Sequence, residues 1–226
     1  MMMTRNRGFV TACAAAGFLA LGVGATGGTP AGASPATMPA SATYIADLPG
    51  GPGSETMTVA ITMRDDDVVA YATNGTNEDA YFLGTYEDDG MHLMSIYGDV
   101  LKASFDGTNI AGEVTMNEAN SVPAKLTAVR VGAPAGIYTA AMGTSRATYV
   151  VRPDRSVVGV MDNSAPGDHR VTDAIMANED AFKDSVRQMR LDRSASRAPS
   201  LNTDTMEGEM GGQRFRAVAV TGDMSL

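Results

Sequence analysis

From residue 57 the apolar side chains fall on alternate positions, and this alternation restricts the fold more than any other feature of the chain. Met57, Val59, Ile61 and Met63 alternate with Thr58, Ala60 and Thr62. Successive side chains of a strand point to opposite faces, so one face is apolar and the other small or polar. Asp65-Asp66-Asp67 makes a turn, and Val68-Val69-Ala70-Tyr71-Ala72 begins the return strand. Asn74-Gly75 follows, a dipeptide suited to a tight turn. Further strands are expected over 80–86, 91–97, 100–105, 110–116 and 122–131, separated by Asp88-Asp89-Gly90, Gly98-Asp99, Asp106-Gly107 and residues 117–120. Short strands at a spacing of roughly ten residues, each closed by Gly or Asp, predict an antiparallel meander forming a barrel or sandwich.

A shortened copy of this pattern returns in the second half. Tyr138 and Ala140 echo Tyr44 and Ala46, and Tyr149-Val150-Val151-Arg152 with Val157-Val158-Gly159-Val160 echoes the hairpin around Arg64. Gly208-Glu209-Met210 echoes Gly112-Glu113-Val114, and the run from Phe215 echoes the run from Leu126. The echoes keep their order at offsets of roughly ninety residues, which reads as a degenerate internal repeat, with repeat 1 over 56–131 and repeat 2 over 136–221. Repeat 2 replaces the middle strands of repeat 1 with one amphipathic helix at about 172–193. Ile175, Phe182, Val186 and Met189 recur there at helical spacing, and Thr172 with Asp173 suits an N-terminus. Lys183, Arg187, Arg190, Arg193 and Arg197 load the other end with positive charge, which complements the helix dipole. The expected fold class is mainly β with one inserted helix.

The N-terminus carries an address. Arg5 and Arg7 precede an uncharged run from Phe9, and Ala31-Gly32-Ala33 offers a small-residue cleavage site before Ser34. This layout predicts a signal peptide over 1–33, export, and a mature chain that does not span the membrane. Cys13, the single cysteine, lies within that segment, so the mature chain is expected to have no thiol, disulfide or cysteine-bound metal. Residues 34–55, rich in Pro, Ala, Gly and Ser, read as a flexible leader with one short strand at Tyr44-Ile45-Ala46.

The second half also carries a resemblance. Leu126-Thr127-Ala128-Val129, the small-residue linker 132–135, Gly136-Ile137-Tyr138-Thr139-Ala140 and a second hairpin resemble a group of exported actinobacterial proteins of the mycobacterial and streptomycete type. That group joins a signal peptide to a β-rich domain of unknown function with an AG-aliphatic-Y-x-A junction. The resemblance implies export and a β-rich envelope or extracellular protein, and it supplies no site residues. The basic helix departs from it, because a Pro/Gly loop stands there in the group.

Composition narrows the partners. The formal net charge is -9, with 26 acidic residues against 17 Lys and Arg, so phosphate backbones are repelled and nucleic acid is not an expected partner. Tryptophan is absent, which argues against a carbohydrate-stacking face.

No motif of catalysis stands out. A serine nucleophile needs a base, yet only His92 and His169 exist and no G-x-S-x-G occurs. His92 beside Met91 and Met94 could serve copper, but on a strand only His92 and Met94 share a face. Asp65-Asp66-Asp67 and Glu87-Asp88-Asp89 could chelate calcium, yet neither matches an EF-hand loop and both read as turn formers. No cofactor is expected and no enzyme activity.

The functional expectation is an exported, non-enzymatic binding or envelope-interaction module. A lipocalin-like carrier of a small apolar ligand and a carboxylate-dependent hydrolase are the alternatives. Lys183, Arg187, Arg190, Arg193 and Arg197 are the candidate contacts to a protein partner or anionic envelope lipid, against the plainer reading that they pair with nearby carboxylates. The oligomeric state stays open.

Overall fold

The alternation read from the sequence becomes a continuous antiparallel meander in the computed structural model, which describes residues 38–49, 56–87, 90–118, 121–163 and 179–223. The described residues belong to one unit, Pro35–Leu226. The segment 1–33 expected as a signal peptide, with Cys13, and Asp88-Asp89, His169, Thr172 and Ile175 lie outside them.

Eight strands form the first sheet: β1 (Ser41–Leu48), β2 (Met57–Arg64), β3 (Asp67–Thr73), β4 (Asp79–Thr85), β5 (Met91–Met94), β6 (Val100–Phe105), β7 (Ile110–Thr115) and β8 (Ala124–Val131). Their order is β4-β3-β2-β1-β8-β7-β6-β5, an up-and-down sheet that curls into a nearly closed barrel with its seam between β4 and β5. The alternate residues Tyr44, Ile61, Met63, Phe82, Leu101 and Ile110 converge inside it and are fully buried. The interior is a packed core.

The stretch expected as a leader holds more strand than its composition announced. β1 runs for eight residues where Tyr44 to Ala46 was expected, pairs with β2 along its full length, and joins β8 through Thr43↔Val131 and Ile45↔Val129. Its inward side chains Ala42, Tyr44, Ala46 and Leu48 are one wall of the barrel core. Three of those four are small or end the strand, which is why the periodic signal was weak there.

The remaining strands are β9 (Gly136–Met142), β10 (Ser145–Val151), β11 (Val157–Asp162), β12 (Ser196–Arg197), β13 (Leu201–Asn202), β14 (Glu207–Met210), β15 (Gln213–Arg216) and β16 (Val218–Ala219). A five-stranded sheet has the order β12-β11-β10-β9-β16, and β13-β14-β15 form a third. Thus β9 lies between β10 and β16 as β1 lies between β2 and β8. The echoing residues also share a direction: Tyr44 and Ala46 face the barrel core, while Tyr138 and Ala140 face the core between the second and third sheets, with Tyr149 and Phe215.

The second sheet covers the outside of the first. Ile45, Ala60, Val69, Tyr71, Tyr81 and Leu83 point out of the barrel and meet Ile137 and Val150. This explains why β2 and β3 are buried on both faces, although the outward positions of β2 read as small or polar. Small side chains such as Ala60 let one sheet approach the other. At the turn after β3, Gly75 has φ +71°, and a Cβ there would sit 2.1 Å from the Val158 Cγ2.

Among the described residues there is one helix, α1 (Glu179–Asp192); the expected start at 172 lies outside them. Its inward face corrects the sequence reading. Val186 is buried, but Met189 is 61% exposed and Leu191 72% exposed, whereas Arg190 is buried. The side chain of Phe182 is not among those described.

Barrel tightness has a direct test. A Cβ on Gly112 of β7 would lie 2.1 Å from the Lys102 carbonyl oxygen, while one on Gly132 would meet nothing within 4 Å. Gly112→Ala should therefore lower stability in urea by about 1–3 kcal/mol through overpacking, and Gly132→Ala should leave it within about 0.5 kcal/mol.

Candidate functional site

Two arginines near the C-terminal end of α1 turn into the protein and meet acids presented by both sheets. The Arg190 guanidinium bonds the Asp99 carboxylate, and Arg193 bonds Asp79 and, at 3.3 Å, Asp162. Asp79 opens β4 and Asp162 ends β11, so Arg193 ties the barrel to the second sheet. Both guanidinium carbons stand about 5 Å from the Tyr97 ring centroid, at 5.0 and 5.1 Å. Such a position over the ring face attracts a cation, most strongly out of water. Arg146 and Thr148 of β10 line the same narrow gap as Asp79, Asp162 and Arg193.

The acids are held from several sides. Asp99 is fully buried; its Oδ2 also accepts from the Ser95 hydroxyl, and its Oδ1 accepts the Asn117 N–H at 2.8 Å. Asn117 Nδ2 donates to the carbonyls of Tyr97 (2.7 Å) and Lys183 (2.8 Å), fastening α1 to the end of β7. The Tyr71 hydroxyl donates to Asp79 at 2.9 Å. Burial pushes the Asp79 carboxyl upward, and the Arg193 charge opposes that push.

Next to this cluster opens a pocket of about 550 Å³ at one mouth of the barrel. Leu48, Met57, Val114, Met116, Val122 and Ala124 line it, with Asn74, Asn77, Glu78, Glu118 and Lys125 as its polar groups. The mouth is open here because strands β1, β3 and β7 end and β2 and β8 begin at this level.

Glu78 is the best-positioned of these. Its N–H donates to Asn74 Oδ1 at 3.0 Å, and its carbonyl accepts from the Asn74 N–H (3.1 Å) and the Thr73 hydroxyl (3.0 Å). Asn74 Oδ1 also accepts the N–H groups of Thr76 and Asn77, so one side chain fixes the whole turn. This is the Asx-turn device for which Asn is favoured in loops. Burial, with the Glu118 carboxyl nearby, pushes Glu78 from the ordinary 4.5 up to about 8, so Glu78 holds its proton at neutral pH. Arg190 Nη1 lies 3.7 Å from the Glu78 carboxyl, an ion pair beyond hydrogen-bond distance, while Nη2 of the same guanidinium bonds Asp99.

The five cations singled out in the sequence thus do not form one exposed face. Arg190 and Arg193 are inside, with side chains 9% and 7% exposed. Arg187 is partly buried and donates to Asn117 Oδ1 at 2.9 Å, Lys183 is partly buried beside it, and Arg197 is exposed on β12. Asp79, Asp99, Asp162 and Glu78 carried no recognisable signal, since a buried acid and a turn-forming acid look alike in a sequence. The one available hint was four cations at helical spacing on a helix with few apolar residues.

The other candidates are dispersed. His92 is exposed, while Met91, Leu93 and Met94 are buried. Asp65 and Asp66 stand exposed at the β2–β3 turn. No group of three or more His, Cys, Asp or Glu that could hold a metal ion occurs among the described residues. No described helix is long and apolar enough to cross a membrane.

Replacing one partner of a buried ion pair strands the other, at a cost of about 3–5 kcal/mol. Arg193→Met should lower stability by that order, whereas Arg197→Gln should leave the unfolding midpoint unchanged. Glu78 predicts a pH dependence. A carboxyl with a raised folded-state pKa binds its proton more tightly when folded, so its stabilisation is complete below about 4.5 and is lost as pH rises through about 8. Thermal melts of the wild type should therefore fall between pH 5 and 8.5, and Glu78→Gln should flatten that slope.

No family model, no curated protein and no solved structure matches this chain.

Proposed function

We propose that this chain is an exported, non-enzymatic binding module of the cell envelope or extracellular space, which holds a small ligand with an apolar body at the barrel mouth. The observation that carries the reading is the mouth pocket. Its volume of about 550 Å³ and its mixture of aliphatic walls and a few fixed polar groups are those of a small-molecule site. The carrier alternative is narrowed by the same structure: side chains fill the interior, so a ligand sits at the mouth and not in a lumen.

A carboxylate-dependent hydrolase is the second reading, because Glu78 and Glu118 meet in the pocket. Export rests on Arg5, Arg7 and the apolar run that follows them.

Titration calorimetry with n-octanol tests the pocket. One saturable site is expected, abolished by Ala124→Trp, which fills the pocket from its exposed rim. Absent or non-saturable binding, or binding unaffected by that variant, would sink the reading. For export, N-terminal sequencing of protein from the culture supernatant should begin near Ser34; an intact chain confined to the cell interior would refute it.

A further inference from the structure

We propose that the mouth pocket selects amphiphilic amines: the alkyl body lies against Leu48, Met57, Val114 and Met116, and the ammonium meets the carboxyls of Glu78 and Glu118 that line the same pocket. The proposal rests on the pocket being a ligand site and adds the class of ligand.

The argument is one of charge and geometry. The carboxyls of Glu78 and Asp99 both face the Arg190 guanidinium, and Glu118 lines the pocket with Glu78. Asp99 takes Arg190 Nη2 and its other oxygen accepts from Asn117, while Nη1 stands 3.7 Å from Glu78, beyond hydrogen-bond distance. Glu78 Oε1 is buried with no hydrogen-bond donor in place. Glu78 meets its burial by retaining a proton, a solution a bound cation can replace. An ammonium offers three N–H donors and a full charge, against the one proton on Glu78. Lys125 is the other cation of the pocket and sits on its exposed rim. Asn74 holds the Glu78 backbone in place before any ligand arrives, which limits the ordering that binding requires. The chain's net charge of -9 attracts a cation and repels a carboxylate.

The exchange balances. Glu78 as the acid releases its proton to solvent, the ligand keeps its own ammonium protons, and the complex holds a carboxylate against an ammonium. Amine affinity should therefore rise from pH 5 to pH 8.5, a range in which an alkylammonium stays protonated.

Calorimetry with n-octylamine, n-octanol and octanoate on the full chain separates the possibilities. At pH 7 octylamine is expected to bind about tenfold or more tightly than octanol, and octanoate most weakly. The measured heat should change with the ionisation enthalpy of the buffer, since a proton leaves. Glu118→Gln, at an exposed position, and Glu78→Gln should remove the amine's advantage and the buffer dependence while octanol binding persists. Octanol binding with no preference for the amine, or an amine preference unaltered in both variants, would overturn this proposal and leave the pocket reading standing. Failure of all three probes would overturn both.

Discussion

The buried contact between Arg193 and the carboxylates of Asp79 and Asp162 is the joint of this molecule. The two acids belong to different sheets, so neither sheet can shift without stranding a charge. Arg190 repeats the device one turn earlier with Asp99. Three buried aspartates, Asp79, Asp99 and Asp162, are thereby held by two arginines, Arg190 and Arg193, whose side chains are almost wholly covered. Buried ion pairs add little net stability against an apolar alternative, but an unpaired member is strongly unfavourable. Their effect is to specify one arrangement of helix and sheets.

Glu78 borders the arginine cluster on one side, 3.7 Å from Arg190, and the mouth pocket on the other, and its burial pushes its carboxyl toward the protonated form. Charge balance in the joint and chemistry at the mouth are therefore one problem. The filled barrel interior completes the logic, because a core packed with Tyr44, Phe82 and Met63 leaves ligand-sized space only where strands end.

Much of the first sheet was legible. The expected strand over 100–105 coincides with β6, and those over 80–86, 110–116 and 122–131 differ from β4, β7 and β8 by a residue or two. The expected 91–97 ends early, because the Ser95 hydroxyl accepts the N–H groups of Tyr97 and Asp99 and turns the chain. β1 was underestimated since alanines supply little periodic signal. On α1 the error was one of sign: Met189 was placed inward and Arg190 outward, and the structure reverses them. A helix buries what its partner surface demands, and the surface here is acidic. The candidate site was almost invisible, since Glu78 and Glu118 are forty residues apart and neither belongs to a motif.

Local chemistry along the chain was enough to determine the antiparallel strands, their turns and a single basic helix, because alternation and turn residues act between near neighbours. Only the tertiary structure decided that the sheet curls until its core is full, that β1 lies at its centre, and that α1 presents arginines to buried aspartates. It also decided which two of 26 acids meet in a pocket. The raised carboxyl of Glu78 and the buried ion pairs depend on distance and on exclusion of water, and both arise from packing between segments far apart in the chain.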